Sequence, residues 1–192
     1  MIEIRSTKSF YNLPTAHSQY FDKEPDGSPG ECGAFHGYDR SVHFEFAGQV
    51  DENGWIFPFG ELKEVKSFLE YYFDHTSVLP ADDPRIKDIP REMTEPGGLL
   101  QTLRILPYGV SMEMSSLFVW EQVNPYIYQL TGGRVYVPRV EIKEHEKNSG
   151  FIIVDRESAS KQAQLRIPGK CYLQKQRFWD YMSPAEALED NG

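Results

Sequence analysis

Residues 36–47 have the sequence His-Gly-Tyr-Asp-Arg-Ser-Val-His-Phe-Glu-Phe-Ala, and the pattern within them indicates a β-strand. Val42, Phe44 and Phe46 alternate with other residues, and this period of two is typical of a strand with one buried face. The same parity runs back to His36. If no bulge intervenes, we therefore expect the polar side chains of that parity to share a face with the apolar ones.

The segments on either side of this strand predict a second strand, two helices and a further hairpin. Residues 2–13 alternate loosely and are predicted as a strand. The period changes to that of a helix over residues 59–72. A second helix is predicted over residues 111–130, because Ser111 can serve as its N-cap and Gly132-Gly133 follows its end. Residues 135–142 and 151–154 are predicted as two more strands. This order predicts an α+β fold, in which a four-stranded antiparallel sheet carries two antiparallel helices on one face.

The remaining segments suggest how this domain is bounded and assembled. Residues 1–156 are predicted to form the domain, and residues 157–192 a C-terminal extension. Five prolines in residues 80–110 predict a long loop with room for a short element. Because a four-stranded sheet leaves open edges, and a ring of identical subunits would cover them, we expect a ring-forming homo-oligomer.

Composition excludes several classes of function. The 192 residues are 40% hydrophobic and 26% charged, as in ordinary globular proteins, and the net charge of -9 disfavours nucleic acid as a partner. No apolar run reaches the length that crosses a bilayer, and the first residues lack the features of a signal peptide. With only Cys32 and Cys171, the chain has no disulfide framework, so we expect a cytoplasmic protein with reduced thiols and no membrane partner.

A few polar residues at the ends of predicted elements are candidates for chemistry. Each has an ordinary structural interpretation, since a lone histidine is more often structural than a ligand. Together they suggest more, because an imidazolium lowers the pKa of a nearby thiol and a carboxylate orients an imidazole. Two histidines from adjacent strands could also bind zinc as neutral imidazoles. The candidates are His17, Cys32, His36, Asp74, His75 and Glu144.

Several of these residues lie in segments that resemble a known family. Residues 31–37, Glu-Cys-Gly-Ala-Phe-His-Gly, look like the Cys-x-x-x-His-Gly-His segment of the 6-pyruvoyltetrahydropterin and 6-carboxytetrahydropterin synthases, which have the tunnelling fold. Ala16-His17 resembles their first zinc histidine, Asp74-His75 their Leu-Asp-His segment, and residues 142–145 their Val-x-Glu-Thr segment. The matches run in order from about residue 10 to 146.

The resemblance is closest to the 6-carboxytetrahydropterin synthase type, which serves queuosine and other 7-deazaguanines. It implies a carbon-oxygen lyase that eliminates triphosphate from 7,8-dihydroneopterin triphosphate. Cys32 would be the proton-abstracting thiolate, and Asp74 with His75 would complete the acid-base set, across a subunit interface. Glu144 would accept hydrogen bonds from the amino and ring N–H groups of the pterin. Glu113, in the segment that matches Pro-Thr-Ser-Glu, would also bind substrate.

The implied zinc site departs from the family at one ligand. His17 and His36 would be ligands, but the third histidine of the family falls at Tyr38. Three outcomes are open: Tyr38 or another group completes the site, His43 or His145 substitutes, or the metal is lost. The alternative functions are therefore an enzyme of the same fold acting on another pterin or purine, and a binding protein without catalysis.

Overall fold

The computed structural model describes residues 3–165 and 173–176, and it confirms the predicted α+β class. Six strands form one mixed sheet in the order β4-β3-β1-β2-β5-β6. The strands are β1 Ile4–His17, β2 His36–Gly48, β3 Thr76–Pro80, β4 Leu103–Leu106, β5 Val135–Lys143 and β6 Ser149–Ile153. The α-helices are α1 Lys63–Phe73, α2 Arg91–Thr94, α3 Met112–Leu130 and α4 Arg156–Leu165.

The four predicted strands and both predicted helices are present. Strands β1, β2, β5 and β6 pair antiparallel with one another in that order, whereas β3 pairs parallel with both β1 and β4. The sheet is therefore wider than predicted by two strands of five and four residues. Such short runs beside Pro80 and Pro107 show too little periodicity to be recognised from sequence.

The apolar face of β2 packs beneath the helices, as its alternation predicts. Val42, Phe44 and Phe46 are essentially inaccessible to solvent, and the two phenylalanine rings stack with centroids 5.9 Å apart. Burying one such side chain stabilises the fold by roughly 1.5–3 kcal/mol. The facing helices contribute buried side chains from Val65, Phe68, Leu69, Tyr72 and Phe73 of α1 and from Phe118, Val119, Val123 and Ile127 of α3.

The register of the sheet places the polar end of β2 on this same face. A bulge does occur in the hairpin, but it lies on β1 between Phe10 and Leu13, where Asn12 has a φ of 61°. Strand β2 keeps its alternation, so Arg40 continues the buried series of Val42. The polar residues before Val42 therefore reach the edge of the core.

Two connections bring further segments to that end of the sheet. Helix α3 begins after Ser111, whose Oγ accepts a hydrogen bond from the backbone N–H of Met114 at 3.3 Å. The start of β6 lies against this helix, and a Cβ at Gly150 would sit 2.3 Å from the backbone nitrogen of Glu113. Glycine is therefore required there for the helix start to approach the strand.

The predicted C-terminal extension begins with α4. Ala159 and Ala163 of α4 are buried, and the Asn124 side chain of α3 donates a hydrogen bond to the Ala159 carbonyl at 2.9 Å. Cys171 lies outside the described residues. Among the helices of residues 3–165, none is long and apolar enough to span a membrane.

Candidate metal and substrate site

The β1–β2 hairpin places two predicted metal ligands side by side. His17 is the last residue of β1 and His36 the first of β2, and they are direct partners in the antiparallel register. Their ring centroids are 4.1 Å apart. The Nδ1 of His36 lies 2.9 Å from the Ala34 carbonyl oxygen. A hydrogen on Nδ1 would be donated to that oxygen, and Nε2 would then carry the lone pair that can bind a metal.

A carboxylate completes the group. Glu144 follows the last residue of β5, and its Oε1 lies 3.6 Å from Nε2 of His17. Ligand atoms of His17, His36 and Glu144 all lie within 4.8 Å of one another. Two imidazoles and one carboxylate are a known ligand set for zinc and other divalent metals. The donor set therefore fits a metal ion.

The state of His17 supports this interpretation. Its side chain is 2% exposed, and its Nδ1 has no hydrogen-bond partner in the described part of the chain. Burial, together with electrostatic repulsion from Arg40 and His36, lowers the pKa of His17 to about 3. The ring is therefore neutral near pH 7 and carries the lone pair that a metal ligand needs.

The other candidates for the third ligand have different surroundings. Tyr38 is 41% exposed, and its ring centroid lies 6.1 Å from that of His36, so its role as a ligand stays a prediction. His43 lies on the opposite face of β2, with Nδ1 2.7 Å from Ser9 Oγ and Nε2 2.9 Å from Ser41 Oγ. His43 is therefore held by serines away from the cluster.

The ring nitrogens of His145 have closer partners than Glu144, whose Oε2 lies 3.9 Å from Nε2. The Nδ1 of His145 accepts a hydrogen bond from the Lys147 backbone N–H at 3.1 Å, and its Nε2 lies 3.1 Å from the Asn148 side-chain nitrogen. The group that the structure adds to the two histidines is thus Glu144, which the sequence suggested as a substrate anchor.

A cavity of about 540 Å³ opens over this cluster. It is formed by the ends of β1 and β2, the loop between them, the start of α3 and the β5–β6 turn. Six of the eight predicted site residues line it, namely His17, Cys32, His36, Tyr38, Glu113 and Glu144. Apart from Asp74-His75, the site residues that the family resemblance suggests therefore converge at one place.

The loop between β1 and β2 presents Cys32 to this cavity. The backbone N–H of Cys32 donates to Asp22 Oδ2 at 2.8 Å, and the Cys32 carbonyl accepts from the Gln19 N–H at 2.7 Å. Burial raises the pKa of the Cys32 thiol, and the charges of Asp22, Glu144 and Glu31 raise it further. Within one chain Cys32 is therefore a thiol near pH 7, and the predicted thiolate requires an additional positive charge.

The Asp74-His75 pair is formed, but apart from Cys32. His75 Nδ1 lies 2.6 Å from Asp74 Oδ1, at the junction between α1 and β3. The His75 side chain is 85% exposed and its backbone has a φ of 53°. Neither residue is among those that line the cavity. A relay that includes Cys32 would need another copy of the chain to supply this pair.

Arg40 is an unusual group that the sequence did not single out as a site residue. Its side chain is 1% exposed, and its three guanidinium nitrogens have no hydrogen-bond partner within the described ranges. Burial lowers its pKa to about 10, while the negative charge of Glu144 acts in the opposite direction. The sequence did contain a signal for Arg40, because it has the same parity in β2 as Val42 and is therefore predicted on the buried face, where a charged side chain is unusual.

Comparisons with known proteins identify the family of this chain. The model of the family described as 6-pyruvoyl tetrahydropterin synthase matches residues 6–154. A protein from Archaeoglobus fulgidus, provisionally described as a 6-carboxy-5,6,7,8-tetrahydropterin synthase, is 30% identical over 80 residues, which are 39% of this chain and 70% of the relative.

Two solved structures have a similar fold. An uncharacterized protein from Wolinella succinogenes has a TM-score of 0.66 at 17% identity, over 81% of this chain and 100% of the other. A catalytic-residue mutant of Plasmodium vivax 6-pyruvoyltetrahydropterin synthase has a TM-score of 0.55 at 16% identity, over 79% of this chain and 99% of the other. The predicted tunnelling fold is confirmed, while the ring of subunits stays a prediction.

Proposed function

Because the chain belongs to the 6-pyruvoyl tetrahydropterin synthase family, whose members are lyases, we propose that it is a cytoplasmic enzyme of the 6-carboxytetrahydropterin synthase type. Its substrate would be 7,8-dihydroneopterin triphosphate, in the synthesis of 7-deazaguanines such as queuosine. The observation that supports this most is the convergence of Cys32 with His17, His36 and Glu144 around one cavity.

The metal would be held by His17, His36 and Glu144, and we propose zinc as that metal. When bound, zinc would stabilise negative charge on oxygen atoms of the substrate side chain. Glu144 has two oxygens with different surroundings, since Oε1 is 3.6 Å from His17 and Oε2 is 3.9 Å from His145. Oε1 would bind the metal, and Oε2 would accept a hydrogen bond from the pterin ring.

Cys32 would remove a proton from the carbon beside the substrate hydroxyl. The raised pKa of its thiol leaves little of the thiolate that acts as the base near pH 7 in the isolated chain. We propose that a ring of subunits supplies the missing group, with the partner chain bringing its exposed imidazole and carboxylate pair to the cavity. Glu113, at the start of α3, would contact the substrate from the opposite wall.

Turnover of 7,8-dihydroneopterin triphosphate by zinc-loaded protein tests the proposal. Release of triphosphate and appearance of a tetrahydropterin product are expected, and Cys32→Ala should remove both while keeping the metal. His43→Gln is the matched control, because His43 is held by serines on the other face of β2. Zinc-loaded protein that gives no product would contradict the proposal.

A second candidate is an enzyme of the same fold that acts on another pterin or purine. Tyr38 at the position of a family histidine favours it, since this side chain changes the chemistry of the cavity wall. A panel of pterins and purines in a thermal-shift assay separates the candidates, because a bound ligand raises the melting temperature. A larger shift with a purine than with neopterin would favour the second candidate.

A further inference from the structure

We propose that Arg85 is a positioning residue that fixes the loop carrying Cys32 against the end of β1. The inference rests on the proposed function, in which Cys32 is the base. Arg85 belongs to the proline-rich segment after β3, which has no part in the site described above.

The guanidinium of Arg85 bridges both ends of the β1–β2 loop. Its Nη1 donates to the Gly33 carbonyl at 3.1 Å, one residue after Cys32. Its Nη2 donates to Ser18 Oγ at 2.8 Å, one residue after His17. Ser18 Oγ in turn donates to the Gly33 carbonyl at 2.6 Å. Arg85, Ser18 and Gly33 are thus each hydrogen-bonded to the other two, and these bonds connect the loop that carries Cys32 to the end of β1.

A buried carboxylate holds this guanidinium in place. Asp83 is 3% exposed, and its Oδ1 accepts hydrogen bonds from the backbone N–H and the Nε of Arg85, each at 2.9 Å. Its Oδ2 accepts from Nη2 at 2.6 Å. Such a two-pronged charged contact fixes the plane of the guanidinium as well as its position. Lysine could not reproduce it, since an ammonium lacks the planar fork.

The loop that carries Cys32 packs closely against itself at the point where Arg85 binds. A Cβ at Gly33 would lie 2.1 Å from the Asp22 carbonyl oxygen, so the chain approaches itself closely where Arg85 binds. The loop's other bonds to Cys32 come from Gln19 and Asp22, which belong to the same loop. Arg85 reaches Gly33 from 52 residues further along the chain. It therefore anchors the loop to the rest of the fold.

The consequence is a fixed distance between the sulfur of Cys32 and the cluster of His17, His36 and Glu144. A displacement of about 1 Å at a reacting group can cost roughly 100-fold in rate. Loss of the Arg85 contact should lower kcat by about that factor and leave KM nearly unchanged, because Glu144 and the histidines stay in place. The Cys32 thiol, no longer held in one position, should also react more readily with an alkylating reagent.

The test uses a double variant, Asp83→Asn with Arg85→Gln, so that no buried carboxylate is left unpaired. It is made in a Cys171→Ser background, in which Cys32 is the one cysteine of the chain. Alkylation by iodoacetamide at pH 8 is followed without substrate, and kcat, KM and bound zinc are measured in parallel. Arg85→Lys is the conservative variant. Arg91→Ala is the matched control, since Arg91 pairs with Glu95 at the surface of the same segment at 2.9 Å.

The double variant and Arg85→Lys should alkylate at least about threefold faster than the parent and lose about 100-fold in kcat, with zinc unchanged. Arg91→Ala should match the parent in each measurement. An alkylation rate within twofold of the parent, or slower, would overturn the role of Arg85. If the parent gives no turnover, the proposed function fails, but the alkylation rates still decide whether Arg85 fixes the loop.

Discussion

Strand β2 has two halves with the same alternation and opposite physical character. In the second half, Val42, Phe44 and Phe46 lie in a dry core in which each side chain has apolar neighbours. In the first half, His36 and Arg40 face Glu144 and His17, and buried nitrogens there lack hydrogen-bond partners among the described residues. Unpaired buried polar groups cost stability, so they are expected where a ligand supplies the missing contacts.

Two histidines on the β1–β2 hairpin show the same difference at the level of single atoms. Both ring nitrogens of His43 lie within hydrogen-bond distance of serine hydroxyls. Within residues 3–165 and 173–176, the Nδ1 of His17 has no such partner, and its Nε2 faces a carboxylate at 3.6 Å. His43 is therefore satisfied by hydrogen bonds within the fold, whereas His17 keeps a buried nitrogen that the described residues leave unpaired.

The largest expected effect is a difference in zinc affinity between variants of these two histidines. His17→Gln should weaken zinc binding by at least about 100-fold, because it removes a direct ligand. His43→Gln should bind zinc as the parent does. Isothermal titration of metal-free protein with zinc measures both, and equal loss in the two variants would contradict the distinction between them.

The apolar half of β2 should respond through stability rather than through binding. Phe44→Ala should lower the free energy of unfolding by about 3–5 kcal/mol, since it leaves a cavity in a packed core. Urea denaturation measures this change. The fraction of the variant that remains folded should still bind zinc at the parent affinity, and loss of that affinity would mean that the two halves are not independent.

Replacing Arg40 should stabilise the ligand-free protein, whereas replacing Phe44 destabilises it. Arg40→Met should raise the free energy of unfolding of the ligand-free protein by about 1–4 kcal/mol, because it replaces a buried cation without hydrogen-bond partners by an apolar side chain. The same variant should lose part of the thermal stabilisation that substrate gives the parent. A destabilised ligand-free variant would show that Arg40 serves the fold instead of the site.

The smallest effect concerns pH. Burial lowers the pKa of His43, so the unfolded chain takes up a proton at higher pH than the folded chain does. Stability should therefore fall as the pH is lowered through about 6.5, the usual pKa of histidine. His43→Gln should reduce this slope, as measured by urea midpoints between pH 8 and pH 5. An unchanged slope would mean that His43 does not titrate differently in the two states.

The sequence was sufficient for the fold where periodicity is long. The alternation of β2, the helical spacing around Leu69 and the capping residue Ser111 predicted elements that the structure contains. Strands β3 and β4 were missed, because runs of five and four residues carry no periodic signal between prolines. Their pairing depends on contacts between segments far apart in the chain.

The sequence predicted which residues belong to the site better than it predicted the role of each. Family-like segments identified six residues that now line one cavity. Glu144 was assigned to the substrate alone, because its distance to His17 depends on how β5 and β1 meet across β2. Arg85 could not be found at all, since its contacts join residues 18, 33 and 83 and no local pattern links them.

The most direct test of the central claim is a crystal structure of zinc-loaded protein with anomalous data at the zinc edge. The account predicts one strong peak per chain within bonding distance of His17, His36 and Glu144, with the sulfur of Cys32 facing the same cavity. A zinc ion bound through Tyr38 without Glu144, or no peak beside His17, would contradict it.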